Sequence, residues 1–107
     1  MPKNLFIIKD TGNNAISEAK LFKYFDVTSR ALEKAKVPAN APPAKKKEAE
    51  VILDMAQRYV SDASHFAQKG DWVLAFAALN YAHGWLDAGA RLGLLDVDHD
   101  SDLFTVD

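Results

Sequence analysis

The chain contains no cysteine, which removes disulfides, thiolate zinc sites and thiol nucleophiles together. Stability must then come from packing, any metal must be held by oxygen or imidazole, and the composition fits a reducing cytoplasm. Long apolar runs are missing too. The "LFII" stretch within residues 1–14 is too brief for a signal-peptide core and far too brief to cross a bilayer, so neither export nor a membrane anchor is expected. Only 5 glycines are present, and none builds a phosphate-cradling loop. The three histidines, His65, His83 and His99, fall on different segments with no second histidine three or four residues away. A helical metal site would want that pairing. No Ser/His/Asp constellation is found either, so catalytic residues, cofactors and metals are not expected.

What remains is enough for one domain: 107 residues, 49% hydrophobic and 26% charged, with room for a single core. The net charge of -2 conceals an imbalance. Residues 1–47 hold ten Lys/Arg against four Asp/Glu, and residues 48–107 hold three against eleven.

At about 100° of rotation per residue, a first helix over residues 15–36 gathers Leu21, Phe25, Thr28, Leu32 and Ala35 on one face. "VPANAPP" breaks it, since proline lacks an amide proton and disfavours helical geometry in the residue before it; Asn40 is the expected cap of the next helix. That second helix, over 43–69, buries Ile52, Met55, Ala56, Tyr59, Val60, Ala63, Phe66 and Ala67. "KGD" then reads as a tight turn, with Gly70 ending one helix and Asp71 capping the next. So short a link makes the two helices antiparallel neighbours. The third helix, 72–92, carries two apolar seams: Trp72, Ala75, Leu79, Ala82, Leu86, Gly89, and Leu74, Ala78, Tyr81, Trp85, Ala88, Leu92. Two seams imply two neighbours. The expected fold is all-α, an up-down-up three-helix bundle in one domain, with an N-terminal extension (1–14) and an acidic C-terminal tail (93–107).

This orientation turns Val73, Phe76, Asn80, His83, Asp87 and Arg91 outward, with Asp87 and Arg91 spaced for a helical ion pair. An apolar pair beside four polar groups wants a cover, whether tail, subunit or ligand. Asp62 borders the apolar face of the second helix, where a carboxylate needs a partner such as Arg91, His83 or a capping amide. These seven residues are the candidate binding site, for a protein partner or for self-association. The alternative is a nucleic-acid surface: Lys20, Lys23, Arg30 and Lys34 share one side of the first helix, extended by Lys45, Lys46 and Lys47. Such binding would be electrostatic and salt-dependent. It lacks interleaved aromatics to stack bases, and only one of these residues is arginine.

Two further patterns are partial. "ASHFAQKGDWVLAFAALNYA" matches the spaced positions of a tetratricopeptide hairpin at Ala63, Phe66, Gly70, Trp72, Ala75, Leu79 and Ala82. It occurs once, whereas such repeats need about three units to stack, so it reads as hairpin packing. In the tail, Asp96, Asp98, Asp100 and Asp107 take positions 1, 3, 5 and 12 of a calcium loop. Ser101 replaces the glycine that loop needs, and no exit helix comes after it. A solvated tail with Leu103, Phe104 and Val106 resting on the bundle is the simpler expectation.

The run "YVSDASHFAQKGDWVLAFAALNYAHGWLDAGARLGLL" resembles the core of a small archaeal family catalogued as domain of unknown function 357. The shared features are an aspartate and an aromatic before "GD", then "GWLDA" with a following arginine and glycine; Asp62, Gly70, Asp71, Asn80, Tyr81, Gly84, Trp85, Asp87 and Arg91 carry the match. The resemblance is close over residues 48–96 and looser over the first helix. It implies a compact helical bundle in an archaeal cytoplasm and brings no established activity with it.

Overall fold

The computed structural model describes residues 8–106; Leu5, Phe6 and Ile7 of the N-terminal apolar run, and Asp107, lie outside it. Three α-helices occur in order: α1 (Glu18–Lys34), α2 (Pro43–Gln68) and α3 (Trp72–Arg91). Among the described residues the extended pairing is limited to one antiparallel bridge, Lys36 with Asp96. The fold is all-α, with helices packed on one another.

Local chemistry sets the helix ends. Ser17 accepts the Lys20 amide at 3.1 Å through Oγ and opens α1, satisfying one of the amides that a first turn leaves free. At the other end of the hairpin link, Asp71 does the same for the Leu74 amide at 3.1 Å. Between them α2 closes on Gly70, whose φ of 82° suits glycine. There the Gly70 amide reaches the Ala67 carbonyl and the Asp71 amide reaches that of Phe66, the paired bonds of a Schellman turn. Gly93 ends α3 in the same way, through Gly93 to Ala90 and Leu94 to Gly89. Asn40 does not cap α2. The N-cap is Pro42, with Pro43 at the first helical position, where the fixed φ of proline is already helical and its missing amide costs nothing.

Contacts fix the helix directions. Ile52 meets Gly89 and Tyr59 stacks edge-on against Tyr81, so α2 and α3 run antiparallel. Tyr24 meets Phe76 and Thr28 meets His83, so α1 runs parallel to α3. The order is up-down-up. Much of the core is alanine: Ala31, Ala49, Ala56, Ala63, Ala75 and Ala82 are fully buried. Small contact residues bring helix axes toward the short end of the usual ~8–10 Å.

After Gly93 the chain adds to the core rather than trailing into solvent. Leu95, Val97, Leu103 and Phe104 are all buried and join Ala31, Ile52, Ala56 and Leu86 in one cluster; Leu21, Ala63, Ala75, Ala78 and Leu79 form a second cluster toward the hairpin end.

One expectation about α3 is overturned. The first seam is internal, with Ala75, Leu79, Ala82, Leu86 and Gly89 buried. The second is only partly covered: Ala78 is buried and Trp85 half-buried, while Leu74, Tyr81, Ala88 and Leu92 face solvent. α1 packs instead on the side of Phe76 and His83, which the sequence pattern turned outward. On that side His83 meets a hydroxyl on α1 and a carbonyl in the C-terminal segment, and Phe76 meets Tyr24.

Candidate functional site

The structure scatters the seven residues singled out as a binding face. Phe76 is half-buried, its ring centroid 4.6 Å from that of Tyr24 at 75°. His83 is enclosed between two segments: its Nδ1 lies 3.2 Å from the Thr28 hydroxyl and its Nε2 lies 2.7 Å from the Leu103 carbonyl. Asp87 does not pair with Arg91. Its Oδ1 accepts the Thr105 amide at 2.7 Å and its Oδ2 the Thr105 hydroxyl at 3.2 Å. His83 and Asp87 thus clasp the protein's own C-terminal segment. Asn80 is exposed and bonds within α3, its Nδ2 donating to the Phe76 carbonyl at 3.0 Å. Val73 and Arg91 stay exposed. So does Asp62, which as a solvated carboxylate needs none of the partners expected for it.

The basic face of α1 is partly spent. Arg30 pairs with Asp26 at 3.6 Å, Lys34 with Asp100 at 3.3 Å, and Lys45 with Glu48 at 3.6 Å. Lys20, Lys23, Lys46 and Lys47 are exposed, and no carboxylate of the described residues forms an ion pair with them. In the tail, Asp100 accepts the amides of Asp102 and Leu103 besides pairing with Lys34, while Asp98 stands 4.0 Å from Lys36. The carboxylates are therefore committed to separate basic partners. Partial desolvation raises the Asp100 pKa, but the Leu103 amide, Lys34 and the Asp102 amide outweigh it and hold the group below its ordinary 3.8.

What the bundle leaves uncovered is the second seam. Leu74 is 46% exposed, Tyr81 52% and Leu92 73%, and on the helical wheel they lie within about 20° of one another. Tyr81 links this stripe to α2 by its edge-on contact with Tyr59, centroids 4.4 Å apart. Met55 and Val51 continue it on the same side of α2, one and two turns away, and Val51 is 57% exposed. Trp85 lies within the seam, 6.2 Å from Tyr81 between ring centroids. Its indole Nε1 is sealed from solvent yet has no acceptor, an uncommon state for a buried donor. The stripe was visible in the sequence as periodicity; what periodicity could not show was that the described residues leave Leu74, Tyr81, Ala88 and Leu92 of it in solvent.

No helix of the described residues is long and apolar enough to cross a membrane. No curated protein and no solved structure matches the chain. A family model does match, described as protein of unknown function (DUF357), over residues 23–95. That span holds all of α2, α3 and the exposed stripe, and the chain belongs to this family.

Proposed function

We propose that this protein is a helical interaction module that receives a helical polypeptide along the solvent-facing side of α3. The carrying observation is the exposure of Leu74, Tyr81 and Leu92 within a run spaced 4-3-4-3-4 (Leu74, Ala78, Tyr81, Trp85, Ala88, Leu92). That is the spacing with which one helix seats the knobs of another. Tyrosine and tryptophan at its centre are the residue types that anchor interfaces, and a contiguous apolar strip on a small domain calls for a cover. Val73 and Arg91 border this strip, whereas His83, Asp87 and Phe76 lie on the other side of α3, against α1 and the C-terminal segment. The basic surface of α1 and the start of α2 is the weaker one, since Arg30, Lys34 and Lys45 already hold acidic partners. The absence of cysteine supports a cytoplasmic setting, and the family resemblance supports an archaeal one.

The reading is tested with a photoreactive phenylalanine at position 92, expressed in the native cell and compared with the same group at exposed position 33 on α1. A polypeptide adduct at 92 that is absent at 33, and that is lost when Tyr81→Glu is added, is the expected result. No adduct at 92 above the level at 33 overturns the reading.

A further inference from the structure

We infer that the occupant of this seam is a second copy of the same chain, α3 against α3, antiparallel about a two-fold axis near Gly84. This rests on the proposed function above and names its partner. The seam reads Leu, Ala, Tyr, Trp, Ala, Leu from Leu74 to Leu92, so by size it is the same in both directions. Two such helices laid antiparallel place Leu74 opposite Leu92 of the second copy and Tyr81 opposite Trp85, with Ala88 over the flank of the buried Ala78. Every layer matches in bulk, the self-complementarity that an isologous two-fold contact demands.

Charge selects the antiparallel sense. Apart from Asp87, which is held by Thr105, the charges of α3 lie at its ends: the capping Asp71 at the N-terminus and Arg91 in the last turn. Parallel pairing would set Asp71 beside Asp71 and Arg91 beside Arg91, with the helix dipoles aligned. Antiparallel pairing brings each acidic start toward a basic finish and opposes the dipoles.

Gly84 supplies an independent sign. A glycine inside a helix weakens it, and where the fold tolerates one a neighbour usually explains it. Gly89 has its reason inside the chain, because a Cβ there would stand 2.8 Å from Leu95 Cδ1 and 3.2 Å from Ile52 Cγ2. A Cβ at Gly84 would meet nothing within 4 Å. Gly84 lies one residue from the midpoint between Leu74 and Leu92, on the exposed flank of the seam between Ala77 and Ala88. The 20 residues of α3 span about 30 Å. With the α2 flank the strip is on the order of 20 Å wide, giving ~600 Å² per copy. Standard interfaces bury about 800 Å² a side, so this contact falls at the small end, where association is weak and reversible.

Sedimentation equilibrium of the full chain from micromolar to millimolar concentration is expected to show a monomer–dimer equilibrium, weakened about tenfold or more by Tyr81→Glu. Because the chain has no cysteine, introduced ones report the register. With a bismaleimide spanning roughly one helix diameter, ~10 Å, the doubly substituted Leu74→Cys/Leu92→Cys chain links into dimers, while each single variant does not. Linking by Leu74→Cys or Leu92→Cys alone would overturn the antiparallel register. A chain that stays monomeric throughout overturns the second copy as occupant. In that case an in-cell adduct at position 92 of a mass other than twice this chain leaves the interaction module standing, and no adduct removes both.

Discussion

His83 and Leu103 are joined by a 2.7 Å hydrogen bond from the imidazole Nε2–H to the backbone carbonyl. A carbonyl only accepts, so Nε2 carries the hydrogen and Nδ1 is left as the acceptor for the Thr28 hydroxyl 3.2 Å away. One side chain thereby ties α1, α3 and the C-terminal segment together. Thr28 is 1% exposed, so Thr28→Val, close in shape, strands Nδ1 without a donor. The expected loss is about 1–3 kcal/mol, read as a lower urea midpoint at unchanged slope. Thr28→Ser, which keeps the hydroxyl, is expected to retain more of the stability than Thr28→Val.

The bond between Asp87 and Thr105 lies farther out and holds less of the molecule. Asp87→Ala frees the Thr105 amide and hydroxyl, both of which can reach water, so global stability is expected to fall by only about 0.5–1.5 kcal/mol. The effect is instead local. Amide exchange at Thr105 and its neighbours should quicken severalfold while the α2 and α3 amides keep their protection, since opening is confined to the segment the clasp restrained. Equal acceleration across α3 would show that the segment and the helices open as one unit.

Asp100 gives the C-terminal segment a dependence on acid. Its carboxyl is held below 3.8 in the folded chain, so folding favours the ionised form. That contribution is complete above the unfolded value and is lost as pH falls from there through the lower folded value. Acidification below about pH 4 is therefore expected to loosen residues 96–104, seen as faster exchange at the Leu103 amide. Asp100→Asn should flatten this response, because the amide oxygen still accepts the Leu103 amide but no charge remains to be titrated or to pair with Lys34.

Most of the fold was legible because it is written locally. Gly70 and Asp71 announce a helix end and a helix start by backbone chemistry alone, and the apolar period of 3.6 places Ala75, Leu79, Ala82 and Leu86 inward. The misreadings concern relationships between distant residues. The sequence distance from Thr28 to His83 is 55 residues, and nothing in the local pattern of either residue announces the other. His83 and Asp87 look like solvated side chains on a helical wheel, and they become internal struts because residues 94–105 fold back to meet them. The apolar stripe from Leu74 to Leu92 shows the converse. Its period called for a neighbouring helix, while α1 packs on the other side of α3, against Phe76 and His83. His83 and Asp87 turn inward where the fold uses their polarity for itself, and the exposed stripe emerged where the described residues leave apolar side chains in solvent.

The two glycines of α3 should respond in opposite directions to the same substitution. Alanine at 89 gains up to about 1 kcal/mol of helix propensity. Its Cβ, however, would stand 2.8 and 2.9 Å from Cδ1 and Cγ of Leu95, a side chain only 4% exposed. Overpacking of this kind costs about 1–3 kcal/mol, so Gly89→Ala is expected to be destabilising on balance and to disturb the docking of Leu95. Alanine at 84 meets no described atom within 4 Å, so in dilute solution Gly84→Ala should raise monomer stability by about 0.5–1 kcal/mol. If a second helix crosses at Gly84, the same substitution also weakens self-association, so the variant is more stable as a monomer and poorer as a dimer. Thermal melts at low and high protein concentration separate the two effects, because a change confined to helix propensity shifts both melts equally.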